Sequence, residues 1–282
     1  MARFSGNDLR EIVMEVVSSV KEDKSSWILE GPKEVVKEGV YDPGILKAVF
    51  TAGGPGSGKS YTADIIFGVR DEEGDKIFKK SSVLGATGLK YVNSDLLFEK
   101  GLRQAGIDPK LLGTIAKHDP DLWDFIQDPT DPESVRSVAK QKLSKIRGYY
   151  EGGRLGMLID GTGKNYTKVQ RDKRRLEELG YDTQMLFVDT KLPIAIDRDS
   201  LRDRTLGPEK VTELWTQVQN NRDRFRELFG DDFDVVNNDE FGPPPEEIVK
   251  KINKFASSPV QNPLGQAWVS HELEKRSKKK EE

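Results

Sequence analysis

The chain has 282 residues, with 45 lysines and arginines against 48 aspartates and glutamates, a net charge of −3, 35% hydrophobic residues, 33% charged residues and no cysteine. That length holds one large or two small domains around a real core, and the missing cysteines exclude disulfides and thiolate metal sites and suit a reducing compartment. With only His118 and His271 a zinc site is not expected, no global charge draws the chain to nucleic acid, and no run is long enough to span a bilayer, so the expectation is cytoplasmic, without a membrane.

Leu9, Ile12, Val13, Val16, Val17 and Val20 recur at helical spacing behind Asn7 and Asp8, which predicts an amphipathic helix over residues 7–22. Gly31-Pro32 and Asp42-Pro43-Gly44 punctuate the connector that follows, so residues 1–46 read as an N-terminal helical extension. The apolar run Ala48-Val49-Phe50-Thr51-Ala52 then predicts a strand, and Gly53-Gly54-Pro55-Gly56-Ser57-Gly58-Lys59-Ser60 matches G-x-x-x-x-G-K-[ST] without a mismatch.

Each residue type in that loop has a physical task. The glycines permit positive φ and let bare backbone approach a ligand, so successive N–H groups point at phosphate oxygens. The helix that starts near Gly58 adds unpaired N–H groups and the positive end of its dipole. The cradle comprises Gly54, Gly56, Ser57, Gly58, Lys59, Ser60 and Tyr61, with Lys59 on the β- and γ-phosphates and the Ser60 hydroxyl on Mg²⁺. ATP and Mg²⁺ are the expected cofactors.

After a charged turn at Asp71–Asp75 and a short excursion around Ile77, Phe78 and Val83, residues 89–93 read as a second strand with Ser94-Asp95 at its carboxyl end. In open α/β sheets ligands bind at that end. Residues 96–127 predict short helices broken at Asp108-Pro109 and Asp119-Pro120, and a helix follows over 132–150, so 96–150 forms a helical cap on the acceptor side. One face of the last helix carries Arg136, Lys140, Lys142, Lys145 and Arg147 with no acid among them. Residues 155–160, 184–189 and 233–236 read as strands; 167–180, 193 onward, 211–229 and 245–255 read as helices. This alternation predicts a doubly wound parallel sheet with helices on both faces, over a domain of 47–256. From Ser257 to Glu282 the chain is a polar tail ending in Lys278-Lys279-Lys280, expected to be solvated.

A phosphate cradle alone does not separate kinases from motors or GTPases. The strand ending in Asp160-Gly161 lacks the Asp-Glu of motion-driving ATPases, and no N-K-x-D string selects guanine. Phosphoryl transfer needs a group that orients the attacking hydroxyl and positive charge where equatorial oxygens build negative charge. Asp95 supplies the first. Arg198, Arg202 and Arg204 offer the second, Arg198 and Arg202 being four apart on a helix. The alternative structural roles are a helix cap for Asp95 and ion pairs from the arginines to Asp197, Asp199 and Asp203.

From about Phe50 to Asn238 the sequence resembles the zeta-toxin-type P-loop kinases, relatives of polynucleotide and nucleoside kinases. The resemblance lies in residues 54–60, in Val92-Asn93-Ser94-Asp95 with Phe98, in Ile159-Asp160-Gly161-Thr162-Gly163-Lys164, in Leu179-Gly180-Tyr181-Asp182-Thr183 and in Ile196-Asp197-Arg198. It implies a P-loop kinase fold in which Asp95 is the base toward the acceptor hydroxyl. It also implies that Asp160, in the place of the family's usual Glu, sits beside metal and acceptor, that Thr162 and Lys164 touch the acceptor, and that Arg198 and Arg204 clamp phosphates.

Family members of toxin type phosphorylate a uridine-diphosphate amino sugar (UDP-N-acetylglucosamine), relatives in bacteriophages hydroxymethylated pyrimidines within DNA, and polynucleotide kinases 5′-hydroxyl ends. This chain departs in a shorter segment between Arg198 and Pro208, and in carrying no carboxylate from Ser134 to Arg147 to hold a sugar nucleotide. Its basic stripe suits a polyanion, since each cation near a phosphate releases counterions. The expectation is an ATP-dependent kinase acting on a nucleic-acid, nucleotide or nucleotide-sugar hydroxyl, the rival being a nucleotide-dependent binding or regulatory module. Nothing in the sequence names an inhibitory protein partner.

Overall fold

The computed structural model describes residues 39–42, 44–67, 88–202, 205–240 and 242–281. The expected N-terminal helix, the excursion around residues 71–83 and Arg204 lie outside them. The chain divides into two compact units. One contains residues 93–148 with Arg202 and Thr205. The other contains the remaining described residues.

The larger unit is built on five parallel strands: β1 (Lys47–Ala52), β2 (Lys90–Val92), β3 (Met157–Asp160), β4 (Asp182–Asp189) and β5 (Phe233–Asn237), in the order β2-β3-β1-β4-β5. Every residue of β1 is buried, which is why its sequence is apolar almost throughout rather than alternating. Helices α1 (Lys59–Ile66) and α10 (Glu246–Ser257) cover one face, where Ala63, Ile66, Ile252 and Ala256 pack on Val49, Leu158, Leu186 and Val236. On the other face α6 (Tyr166–Glu178) and α9 (Arg222–Phe229) lie against β4, and Phe50 meets Phe229 edge-on at 5.6 Å between ring centres. The sheet is doubly wound, as the alternation of elements predicts. α7 (Leu192–Ser200) and α8 (Pro208–Gln219) complete the crossover from β4 to β5.

The helix expected over 211–229 is instead two, α8 and α9, broken at Asn220-Asn221. The buried Asn221 side chain donates to the carbonyls of Gly163 at 2.9 Å and Lys164 at 3.0 Å, a use that an uninterrupted helix does not provide. The expected solvated tail is exposed along most of its described length, but it forms a 19-residue helix, α11 (Pro263–Glu281). The turn before it is held by Asp182, which accepts from the backbone N–H groups of Gln261 and Asn262, and by close backbone packing of Gly265 on Gly180. These contacts are long-range, and the segment's own composition does not announce them.

A buried ion pair ties the entry of β1 to β2. Lys90 Nζ donates to both Asp42 oxygens at 2.7 Å and to the Gly88 carbonyl at 2.9 Å, with side-chain exposures of 4% and 0%. Asp42→Leu leaves the ammonium buried without its counter-charge, so the urea midpoint should report a loss of about 3–5 kcal/mol, most of which the double change with Lys90→Met returns.

The smaller unit has its own core. α2 (Ser94–Gln104), a short 3-10 turn at Pro109–Leu111, α3 (Leu112–His118), α4 (Pro120–Gln127) and the first four turns of α5 (Val135–Gly152) enclose Phe98, Leu102, Ile107, Leu112, Leu122, Ile126, Val135 and Ala139. Asp108 and Asp119 cap the segments that begin at the two prolines, each accepting from a backbone N–H at 3.0 Å.

Candidate active site

The loop between β1 and α1 stands at the carboxyl end of the central strand, where the connection after β1 runs one way along the sheet and that after β4 the other. Gly56 and Gly58 adopt φ of +73° and +76°, and a Cβ on Gly58 would lie 2.2 Å from Asn238 Nδ2. The loop is braced from behind. Asn238, just past β5, donates to the Ser57 carbonyl at 2.7 Å, the Gly53 N–H donates to the Thr162 carbonyl at 3.1 Å, and the Trp215 ring packs on Gly54.

Lys59 and Asp160 meet in an ion pair at the sheet's centre. The register sets Asp160 beside Thr51, and its Oδ1 accepts from Thr51 Oγ1 at 2.8 Å while its Oδ2 accepts from the Tyr91 hydroxyl at 2.6 Å. Burial alone would raise this carboxyl; the Lys59 charge and the three donors outweigh it and hold Asp160 below its ordinary value of 3.8. Ser60 is exposed in the first turn of α1, and Tyr61 follows half-buried. Ser60 and Asp160 are two oxygen donors. Among the described residues no three His, Cys, Asp or Glu side chains gather as a metal site. Such a sparse set fits Mg²⁺, which keeps its waters and takes phosphate oxygens, better than a cation needing an all-protein cage.

Thr162 and Lys164 are exposed on the loop after β3, which Asn221 holds by its carbonyls. Arg198, on α7, makes no ion pair with Asp197 or Asp199. Its NH1 donates to the carbonyls of Asn238 at 2.7 Å and Gly56 at 3.5 Å, and its NH2 to that of Asp239 at 3.2 Å. It therefore braces the loop, leaving Nε and one NH2 hydrogen for a ligand. Asp199, buried, holds the backbone N–H groups of Leu206 and Gly207 instead.

In the smaller unit Asn93, not Asp95, caps α2, accepting from the Asp95 N–H at 2.6 Å. Asp95 Oδ1 accepts from Arg136 NH1 at 2.9 Å, and its side chain is 73% exposed. The Arg136 guanidinium lies 3.6 Å over the Phe98 ring centre and donates twice to Gln127 Oε1. The stripe on α5 is accordingly not one solvated face. Arg136, Lys142 and Arg147 are half-buried, and only Lys140 and Lys145 are exposed. Burial and the neighbouring Lys100 bring Lys142 down to about 8. A cleft of about 630 Å³ in this unit is lined by Asp121, Asp124, Asp128 and Asp131 with Phe125, Gln127 and Pro129, a lining that repels a polyanion.

Tyr91, Thr51, Asn221 and Asn238 were not singled out from sequence. Tyr91 and Thr51 read there as ordinary strand residues, and the two asparagines follow helix and strand ends like any turn residue. Their roles depend on strand register and on contacts across 58 to 181 residues of chain, which no local pattern encodes.

No protein-family model matches this chain, and a search of curated proteins finds no match. Among solved structures it is similar to a chain from the PezAT chromosomal toxin–antitoxin system of Streptococcus pneumoniae, at 11% identity and a TM-score of 0.47, over 97% of this chain and 98% of that one. It is similar also to a chain of the AvrRxo1-ORF1:AvrRxo1-ORF2 complex solved with ATP, at 12% and 0.40 over 89% and 78%, and to one solved with sulphate ions, at 12% and 0.40 over 86% and 72%. The chemistry of the site rests on its own residues.

Proposed function

We propose that this protein is an ATP- and Mg²⁺-dependent phosphotransferase acting on a hydroxyl. The observation that carries the reading is the cradle itself: left-handed glycines at 56 and 58, a helix opening at Lys59, and that lysine poised on a buried aspartate at the tip of the neighbouring strand. Loop N–H groups and Lys59 hold the β- and γ-phosphates, and Ser60 and Asp160 hold the cation, which offsets charge on the phosphate oxygens when bound. Asp95, opening the helix after β2, orients the acceptor hydroxyl and takes its proton. Arg198 keeps the loop in shape and turns its remaining N–H groups to phosphate, with Arg204 as the second clamp. Thr162 and Lys164 meet the acceptor.

The half-burial of Arg136, Lys142 and Arg147, which leaves no continuous exposed basic face on α5, favours a nucleotide or nucleotide-sugar acceptor over an extended nucleic acid. Incubation with γ-labelled ATP and separate pools of nucleotides, nucleotide sugars, RNA and DNA tests this. Label is expected in the first or second pool, and label only in DNA or RNA reverses the assignment of acceptor. Nucleotide binding with no transfer to any pool leaves the regulatory-module reading in its place.

A further inference from the structure

We infer that Tyr91, with Thr51, is the positioning residue that fixes Asp160 toward a divalent cation, and that Lys59 stands in for the cation's charge until a metal–nucleotide complex arrives. This rests on the cradle reading above and goes beyond it to residues outside the glycine loop. A carboxylate 3% exposed needs every oxygen partnered and its charge offset.

Tyr91, Thr51 and Lys59, which all donate to Asp160, differ in kind. Tyr91 and Thr51 project from β2 and β1, the strands on either side of β3, and are neutral hydroxyls on rigid backbone. Lys59 brings the charge on a flexible stem. It is also the side chain that the glycine loop directs to phosphate. When Lys59 turns to the phosphates, Asp160 loses that positive charge but keeps both hydroxyls.

Of the carboxylate's lone-pair sites, the one that Lys59 vacates on Oδ1 is then offered to a cation. The two hydroxyls keep the carboxylate from rotating away. Partners of this kind, one step removed from the metal, typically tune affinity about 10–100-fold. Metal-free nucleotide, by drawing Lys59 off Asp160 without replacing its charge, binds weakly for the same reason.

The test is fluorescence titration of the full chain with an N-methylanthraniloyl ATP analogue, in EDTA and at graded Mg²⁺. Wild-type protein is expected to bind at least about tenfold more tightly with Mg²⁺. Tyr91→Phe keeps the ring in place and is expected to raise the half-saturating Mg²⁺ concentration about tenfold or more, a larger effect than on binding in EDTA. Thr51→Val is expected to shift it in the same direction, and Thr51→Ser, which retains the hydroxyl, to restore it. Thermal melts of each variant confirm folding. Wild-type binding combined with an unaltered Mg²⁺ dependence in Tyr91→Phe overturns this inference alone. Wild-type protein that binds no nucleotide in either condition overturns the cradle reading and this inference with it.

Discussion

Lys59→Met is expected to lower phosphoryl transfer by about a hundredfold or more and to weaken ATP binding, because on the proposed reading it removes a charge from the transferring phosphate. The same change reaches the fold. Asp160 is left buried without the Lys59 charge while Tyr91 and Thr51 still donate to it, and breaking a buried pair from one side costs about 3–5 kcal/mol. The pH dependence should then reverse. In the wild type the Asp160 carboxyl is held below 3.8, so its contribution to stability is complete above that value and is lost as pH falls through the lower folded value. Without Lys59, burial dominates and raises the folded value, so the variant is weakest at neutral pH and regains stability on acidification. Urea midpoints at about pH 7 and about pH 5 check the sign. The double change Lys59→Met with Asp160→Asn is expected to restore stability but not ATP binding. Wild-type ATP affinity in Lys59→Met would falsify the assignment of the cradle.

Asp95→Asn is expected to reduce transfer to the acceptor about 10²–10⁴-fold while the nucleotide dissociation constant stays within about twofold. The structure keeps this experiment free of a folding artefact. Asn93 caps α2, so the helix start does not depend on Asp95, and the 73%-exposed pair with Arg136 contributes about 0–1 kcal/mol at most. Arg136 itself stays seated on Phe98 and Gln127. Transfer that continues at the wild-type rate sinks the proposal that Asp95 is the base.

The parallel sheet and the glycine loop were legible because each is a local pattern. β1 and β4 are apolar runs, the loop carries its chemistry at fixed spacing, and helix starts at Asp108 and Asp119 announce themselves by a capping residue before proline. The break of the expected 211–229 helix at Asn221 was not legible, since its cause is a pair of carbonyls in the loop after β3. Arg198 shows the same boundary. Sequence spacing put it among candidate phosphate ligands, whereas its described partners are carbonyls of the glycine loop and of the turn after β5.

By itself, then, the amino-acid sequence determined the strand-loop-helix cradle, the alternation that winds the sheet, and the carboxylates and cations available for chemistry, because these depend on neighbours within a few residues. The tertiary structure alone decided that Lys59, Asp160, Tyr91 and Thr51 form one network. It also decided that the α5 cations do not form a single solvated face and that the C-terminal segment is a helix anchored at its start. The physical reason is strand order and register: placing β3 between β1 and β2 sets side chains from three distant segments within hydrogen-bond distance, and no residue's spacing along the chain carries that information.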